Sequence, residues 1–326
     1  MPREMDLQEL LERFSAGQDA ALARAISVIE DERDGYEGLL NKLYPLSRHR
    51  LRLGVTGPPG AGKSTLVGRL ASRIVRSGET VGIIAVDPTS PFTGGALLGD
   101  RIRMDDAGGL PGVFIRSMGT RGSLGGLSRS TREVAMAMDA FGKERIIIET
   151  VGVGQSELDI AGAADTTVVV LVPESGDGVQ AMKAGLLEIA DVIVVNKADR
   201  EGAGRIVREI SAMLELKPDE GNGWRVPVLE TVARDDIGTA GLLAAVEEHR
   251  RHLDRSGLAQ ERRRNRARGE LREIVEREIL GRVLGDDGFE KTLGDAVERI
   301  LANRSTPYHE AGEILKDLNL FRPKRS

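Results

Sequence analysis

Gly57-Pro58-Pro59-Gly60-Ala61-Gly62-Lys63-Ser64 reads G-x-x-x-x-G-K-S, and Asn196-Lys197-Ala198-Asp199 follows far downstream. The first run has the chemistry of a phosphate cradle. Its glycines let successive backbone N–H groups turn inward around phosphate oxygens, and a helix starting near Lys63 faces them with the positive end of its dipole. Lys63 adds a point charge for the β- and γ-phosphates, and Ser64 offers a hydroxyl to Mg²⁺, so nucleotide contacts are expected from Gly57 through Thr65. The complete match, between strand-like Leu51 to Thr56 and a helical stretch, separates this run from an ordinary glycine turn. The second run reads a base. The Asp199 carboxylate can accept from N1–H and the amino group of guanine, two donors that adenine lacks. Lys197 can lay its stem along the base, Asn196 can brace the phosphate loop, and Thr231-Val232-Ala233-Arg234 can present backbone N–H groups to guanine O6. The pair of motifs predicts a GTP/GDP site and hydrolysis of GTP to GDP and phosphate.

Glu149-Thr150-Val151-Gly152 lies between them, after the apolar Ile146-Ile147-Ile148. That is the carboxyl end of a buried strand, where open α/β sheets bind ligands. Glu149 is expected to hold Mg²⁺ through water or to orient the attacking water, and the Gly152 N–H to approach the γ-phosphate. Asp87, before Pro88, and Asp100, before Arg101, are candidate metal residues beside Ser64 and Glu149. The competing reading has Asp87 capping a turn and Asp100 paired with Arg101 or Arg103. Arg121 to Ser128 reads equally as a loop over the nucleotide or as tight packing. Pro173 to Gln180, followed by Lys183, is either a loop that reports nucleotide state or a plain strand-to-helix connection.

The elements that must position these groups alternate. Apolar, β-branched runs at Val81 to Val86, Val113 to Ser117, Arg145 to Glu149, Thr166 to Val172, Val192 to Val195 and Val226 to Leu229 are separated by helical stretches. Nearly unbroken apolar strands of this kind predict an α/β fold with a mostly parallel sheet covered by helices on both faces. Leu7, Leu10, Leu11 and Phe14, then Leu22, Ile26 and Ile29, recur at helical spacing, with Asp19 as a candidate cap. Past Arg255 the strands stop, and Leu271, Ile274, Val275, Ile279, Leu293, Val297, Ile300, Leu301, Ala311, Ile314 and Leu315 form helical stripes. The expected organisation is a helical extension over 1–48, a nucleotide domain over 49–255 and a helical region over 256–326.

Composition narrows the function classes. The net charge of −5 and the scarcity of aromatic residues, 3%, argue against nucleic acid as a partner. There are no cysteines, hence no disulfides, thiolate metal sites or thiol nucleophiles. The N-terminus lacks a secretory pattern and no apolar run approaches the ~20 residues of a membrane span, so a cytoplasmic protein with no membrane partner is expected. Arg262-Arg263-Arg264-Asn265-Arg266-Ala267-Arg268 is flanked by Glu261, Glu270 and Glu273 and reads as a salt-bridged, solvated helix face. His249 and His252 share a helical face and read as surface residues.

Six stretches together resemble the methylmalonyl-CoA mutase-associated GTPases of the MeaB/ArgK type, P-loop proteins related to the signal-recognition and metallochaperone GTPases. They are Ala20 to Ser27, Gly54 to Thr65, Val86 to Ser90, Thr120 to Leu127, Glu149 to Glu157, and Asn196 to Asp199. The resemblance implies a homodimer held largely by the C-terminal helices. It also implies a chaperone whose GTP hydrolysis gates adenosylcobalamin delivery to a B12-dependent acyl-CoA mutase and protects that mutase. The competing readings are a nickel metallochaperone of a related GTPase class, which usually needs histidine- or cysteine-rich ligands, and a kinase or transport-associated ATPase, which gains nothing from Asp199. By the same resemblance Asp87, Asp100 and Glu149 match metal and water-ordering positions, and Gln180 to Lys183 matches a loop that responds to the mutase. Val232 departs from the small hydroxyl residue usual in the family's base loop, which leaves backbone contacts as the means of recognition there.

Overall fold

The computed structural model describes residues 7–87, 109–119, 127, 129–150, 156–173, 185–216, 223–284 and 288–317. Seven strands form where the apolar runs predict them: β1 (Arg52–Thr56), β2 (Val81–Asp87), β3 (Val113–Gly119), β4 (Arg145–Thr150), β5 (Thr166–Leu171), β6 (Val192–Asn196) and β7 (Val228–Thr231). They make one sheet of order β3-β2-β4-β1-β5-β6-β7 in which every neighbouring pair is parallel. The chain lays β2 and the edge strand β3 on one side of β1, returns to insert β4 between β2 and β1, then crosses to β5 on the other side. That reversal puts the carboxyl end of β1 at the crevice where such sheets bind ligands.

The helices are α1 (Leu7–Ser15), α2 (Asp19–Glu30), α3 (Tyr36–Leu43), α4 (Lys63–Arg76), α5 (Arg129–Phe141), α6 (Ser156–Ala163), α7 (Leu186–Ile189), α8 (Ala203–Leu216), α9 (Thr239–Ser256), α10 (Leu258–Leu284), α11 (Phe289–Leu301) and α12 (Pro307–Asp317). Alternate strand residues serve opposite faces, as the two-residue period requires. Val55, Ile83, Ile147 and Val194 pack with Leu66 and Leu70 of α4 and Leu242 of α9. Ile84, Ile146 and Ile148 pack with Leu22, Ile26 and Ile29 of α2 and Val134 and Met138 of α5. The N-terminal helices thus complete one face of the sheet. Asp19 begins α2 but makes no cap; its carboxylate instead lies 3.3 Å from Lys143 Nζ.

The chain divides into two compact units, residues 1–262 and 263–326. In the second, Arg299 of α11 donates from Nε and a terminal nitrogen to the two Glu310 oxygens of α12, at 3.0 and 2.6 Å. Much of its apolar stripe faces outward: Leu271, Leu280, Val297, Leu301 and Leu315 are exposed. Among the described residues no helix is long and apolar enough to cross a membrane.

Candidate nucleotide site

The phosphate loop connects β1 to α4, and its backbone requires glycine. Gly57 has φ +138°, and a Cβ there would stand 2.0 Å from the Val170 carbonyl oxygen of β5. Gly62, at φ +85°, is the residue before α4, and a Cβ on it would meet Asn196 Nδ2 at 2.4 Å. β1 is itself held close to its covering helix, since a Cβ on Gly54 would approach Ile160 Cγ1 to 2.7 Å. The loop is therefore wedged between β5 and the end of β6, with α4 starting at Lys63.

Lys63 is buried, and its ammonium donates to the carbonyls of Gly57 at 2.8 Å and Pro58 at 2.9 Å, curling back over the loop it belongs to. Ser64 Oγ donates to Glu149 Oε1 at 2.6 Å. That contact brings together two residues separated by 85 positions. It follows from the register, in which Val55 of β1 lies beside Glu149 of β4, and from a buried Thr150–Thr56 hydroxyl bond of 2.9 Å one residue on. Both groups offer hard oxygen ligands, which fit Mg²⁺. Among the described residues no three His, Asp or Glu side chains cluster around a metal position, so phosphate oxygens and water would have to complete such a shell. Asp87 closes β2 beside Gly119, but its side chain, Asp100, Gly152 and nearly all of 121–128 and 174–183 lie outside the described residues.

The base motif leaves the end of β6. Asn196 Nδ2 donates to the Ala61 carbonyl at 2.8 Å, while its Oδ1 accepts from Thr231 Oγ1 and the Ala233 N–H, each at 3.0 Å. One buried amide thereby joins the phosphate loop to the loop after β7, and the bracing expected of Asn196 is present. Leaving one of these buried partners unsatisfied costs about 1–3 kcal/mol. Lys197 adopts φ +59°, turning the chain sharply so that Asp199 stands at the surface, its carboxylate 3.7 Å from the Arg234 guanidinium. Val232, Ala233 and Arg234 form the start of the facing turn, with Ala233–Asp235 as a single 3-10 turn.

Three contributors were not singled out from the sequence. Arg69 and Arg73, one helical turn apart on α4, reach the same base loop. Glu157, in the first turn of α6, has its carboxyl pushed up by burial, an effect opposed by the Lys63 charge. The i, i+4 arginines on the phosphate-loop helix, together with the Asp235-Asp236 pair, were the available signal for the first two.

The helix-face expectations need two corrections. His249 is buried: Nδ1 lies 2.8 Å from Thr166 Oγ1, and Nε2 lies 3.2 Å from Asp191 Oδ1. Arg262 is no solvated charge, because it clamps both Asp191 oxygens at 2.9 and 3.0 Å. Burial would raise the Asp191 pKa, but His249 and Arg262 outweigh it and hold the carboxyl below its usual range. This node sits at the amino ends of β5 and β6, opposite the nucleotide edge, and Trp224 closes it with its indole N–H on the Asp191 carbonyl at 2.8 Å. Histidine and arginine spacing on α9 and α10 could not reveal a partner at the start of a strand 58 or more positions away.

A parallel sheet with G-x-x-x-x-G-K-S between β1 and α4, and Asn-Lys-x-Asp at the end of β6, defines a P-loop GTPase. The family model described as methylmalonyl-CoA mutase-associated GTPase MeaB matches residues 22–287, and the chain belongs to that family. A GTPase-named protein of Pyrococcus abyssi is 47% identical over 96% of this chain and 97% of its own. Escherichia coli GTPase ArgK is 34% identical, covering 94% of this chain and 95% of its own. The mouse methylmalonic aciduria type A homolog, mitochondrial, is 31% identical over 92% of this chain and 76% of its own. A crystal structure of a LAO/AO transport system kinase aligns with a TM-score of 0.74 at 27% identity, covering 98% of this chain and 99% of that one. The chain is accordingly a guanine-nucleotide-binding enzyme that hydrolyses GTP.

Proposed function

We propose that this GTPase acts as a chaperone of an adenosylcobalamin-dependent acyl-CoA mutase, methylmalonyl-CoA mutase being the first candidate, and that its GTP cycle gates B12 cofactor loading and protects the mutase. The family description and the mouse relative support the client, and the observation that carries the switch is the Ser64–Glu149 hydrogen bond. It ties the nucleotide helix to the end of β4, the strand that Gly152 follows in the sequence.

In this account the Lys63 ammonium exchanges the Gly57 and Pro58 carbonyls for the β- and γ-phosphates, and the N–H groups from Gly60 to Thr65 surround the phosphate oxygens. Pro58, Pro59 and Ala61 hold the loop's shape. Ser64, Glu149, Asp87 and Asp100 are the residues proposed to hold Mg²⁺, which would supply positive charge to offset that of the triphosphate. Glu149 orients the attacking water, and the Gly152 N–H meets the γ-phosphate. The water oxygen bonds to the γ-phosphorus as the bond to the β–γ bridging oxygen breaks, leaving its electron pair on GDP. Asp199 accepts from guanine, Lys197 covers the base, and Val232, Ala233 and Arg234 supply the backbone that meets O6. Loss of the γ-phosphate then releases the loops a client reads.

The exposed apolar stripe of α10 to α12 supports a homodimer built on those helices. The transport-kinase name belongs to the aligned crystal structure; an ATP-using reading gives Asp199 no partner on the base. A nickel-handling reading finds no ligand cluster among the described residues. The test is transfer of adenosylcobalamin to the apo-mutase in the presence of this protein with GTP, GDP or a non-hydrolysable GTP analogue. Nucleotide-dependent loading is expected; loading indifferent to all three refutes the chaperone role.

A further inference from the structure

We infer that Arg69 and Arg73 are positioning residues for nucleotide specificity: the helix that receives the phosphates also aims the backbone that reads the base. The inference rests on the reading of Val232–Arg234 as the base loop.

Arg69 Nε donates to the Ala233 carbonyl at 3.2 Å, and a terminal nitrogen donates to the Arg234 carbonyl at 2.9 Å. One turn along α4, Arg73 grips the Asp236 carboxylate at 2.7 and 3.2 Å and the Thr239 hydroxyl at 2.8 Å. Burial would raise the Asp236 pKa, but Thr239, Arg73 and Arg69 together hold its carboxyl below the usual range, so the grip is ionic near neutral pH. The segment between is already tightly turned. Asp236 has φ +58°, and a Cβ on Gly238 would fall 2.3 Å from the Glu230 carbonyl oxygen.

The consequence lies in peptide geometry. In a trans peptide the carbonyl and the following N–H point in opposite directions, and no described peptide is cis. The Ala233 carbonyl accepts from Arg69 and, within the turn, from the Asp236 N–H at 3.3 Å, so Arg69 helps hold the Arg234 N–H directed away from α4. The Val232 N–H donates to Ile237, that of Ala233 to Asn196 and that of Asp235 to Val232. With the Asp236 N–H taken up by the Ala233 carbonyl and that of Ile237 by Val232, Arg234 carries the remaining backbone donor among the described residues of this turn, and Arg69 helps to set its direction. Arg73 anchors the loop's exit so that this orientation persists. Guanine O6 is the acceptor such a donor selects, whereas the adenine amino group presents a second donor to it.

The test is equilibrium binding and turnover of Arg69→Met and Arg73→Met with GTP, ITP, ATP and inorganic tripolyphosphate, beside Asp199→Asn. ITP keeps O6 but lacks the 2-amino group that Asp199 reads. For Arg69→Met, GTP and ITP are expected to weaken by the same factor, about tenfold, with a smaller loss for Arg73→Met. ATP, tripolyphosphate and kcat at saturating GTP stay within about twofold. Arg69→Lys, which keeps one donor, restores part of the GTP/ATP ratio. An unchanged GTP/ATP ratio in Arg69→Met, or equal weakening of all four ligands, overturns the inference. Should Asp199→Asn also leave the GTP/ATP ratio unchanged, the base-site reading itself falls.

Discussion

The nucleotide edge of the first unit and the helices of the second solve opposite problems. At the nucleotide edge, distant segments are joined by polar side chains that are themselves buried or half-buried: Asn196 spans Ala61 and Ala233, Ser64 meets Glu149, and Arg69 and Arg73 hold the turn after β7. The sheet beneath them buries its aliphatic side chains on both faces. In α10 to α12 many of the aliphatic side chains face outward, and α11 and α12 are joined by the Arg299–Glu310 pair. A region that closes on itself can hold a ligand to within fractions of an ångström. A region with an open apolar face is built to be closed by another surface.

The largest expected effect lies in the closed region. Lys63→Ala removes the buried ammonium, and GTP turnover should fall by about a thousandfold with loss of nucleotide affinity, measured by single-turnover hydrolysis and fluorescent-nucleotide titration. Glu149→Ala should lower kcat by about a hundredfold while the GDP dissociation constant moves by less than about threefold. Normal turnover in that variant would remove Glu149 from the chemistry. Leu22→Ala, in the core beneath β2 and β4, should cost about 2–5 kcal/mol in denaturant unfolding without altering the nucleotide preference. Turning to the open region, Val297→Asp with Leu301→Asp should convert a dimer to a monomer in sedimentation, with intrinsic GTP turnover within about twofold of the parent. An unchanged sedimentation coefficient would mean that this face is closed by something other than a second copy.

The smallest effect is a pH dependence confined to the second unit. The Arg299 guanidinium lowers the Glu310 pKa from 4.5 to about 2. Because the folded value is the lower one, the pair's contribution is complete above 4.5 and is lost as the pH falls through about 2. Hydrogen exchange of α11 and α12 should quicken over that window in the parent and not in Glu310→Gln.

The sheet and the phosphate loop were legible because their signals are local. Unbroken aliphatic runs such as Ile146-Ile147-Ile148 identify strands buried on both faces, and G-x-x-x-x-G-K-S specifies a backbone shape that few other residues permit. The strand order was not legible, since nothing in β4 or β5 alone says that β1 lies between them. The same limit hid the arginines. Arg69, Arg73 and Arg262 look like ordinary helix-surface charges, and each acquires its role from a partner on another element: Ala233, Asp236 and Asp191. Asn196 was readable because its place after an apolar strand and before Lys197 and Asp199 belongs to a motif. His249 belonged to none, and its burial against Thr166 depends on how α9 crosses the sheet.

The central claim is that the GTP cycle is read by a B12-dependent acyl-CoA mutase, and the most direct test is turnover of GTP, with ATP as control, measured with and without that mutase from the same source. The account predicts slow GTP hydrolysis alone, at least about fivefold faster at saturating mutase, and no comparable response with ATP. Equal GTP turnover with and without a folded, active mutase would contradict it.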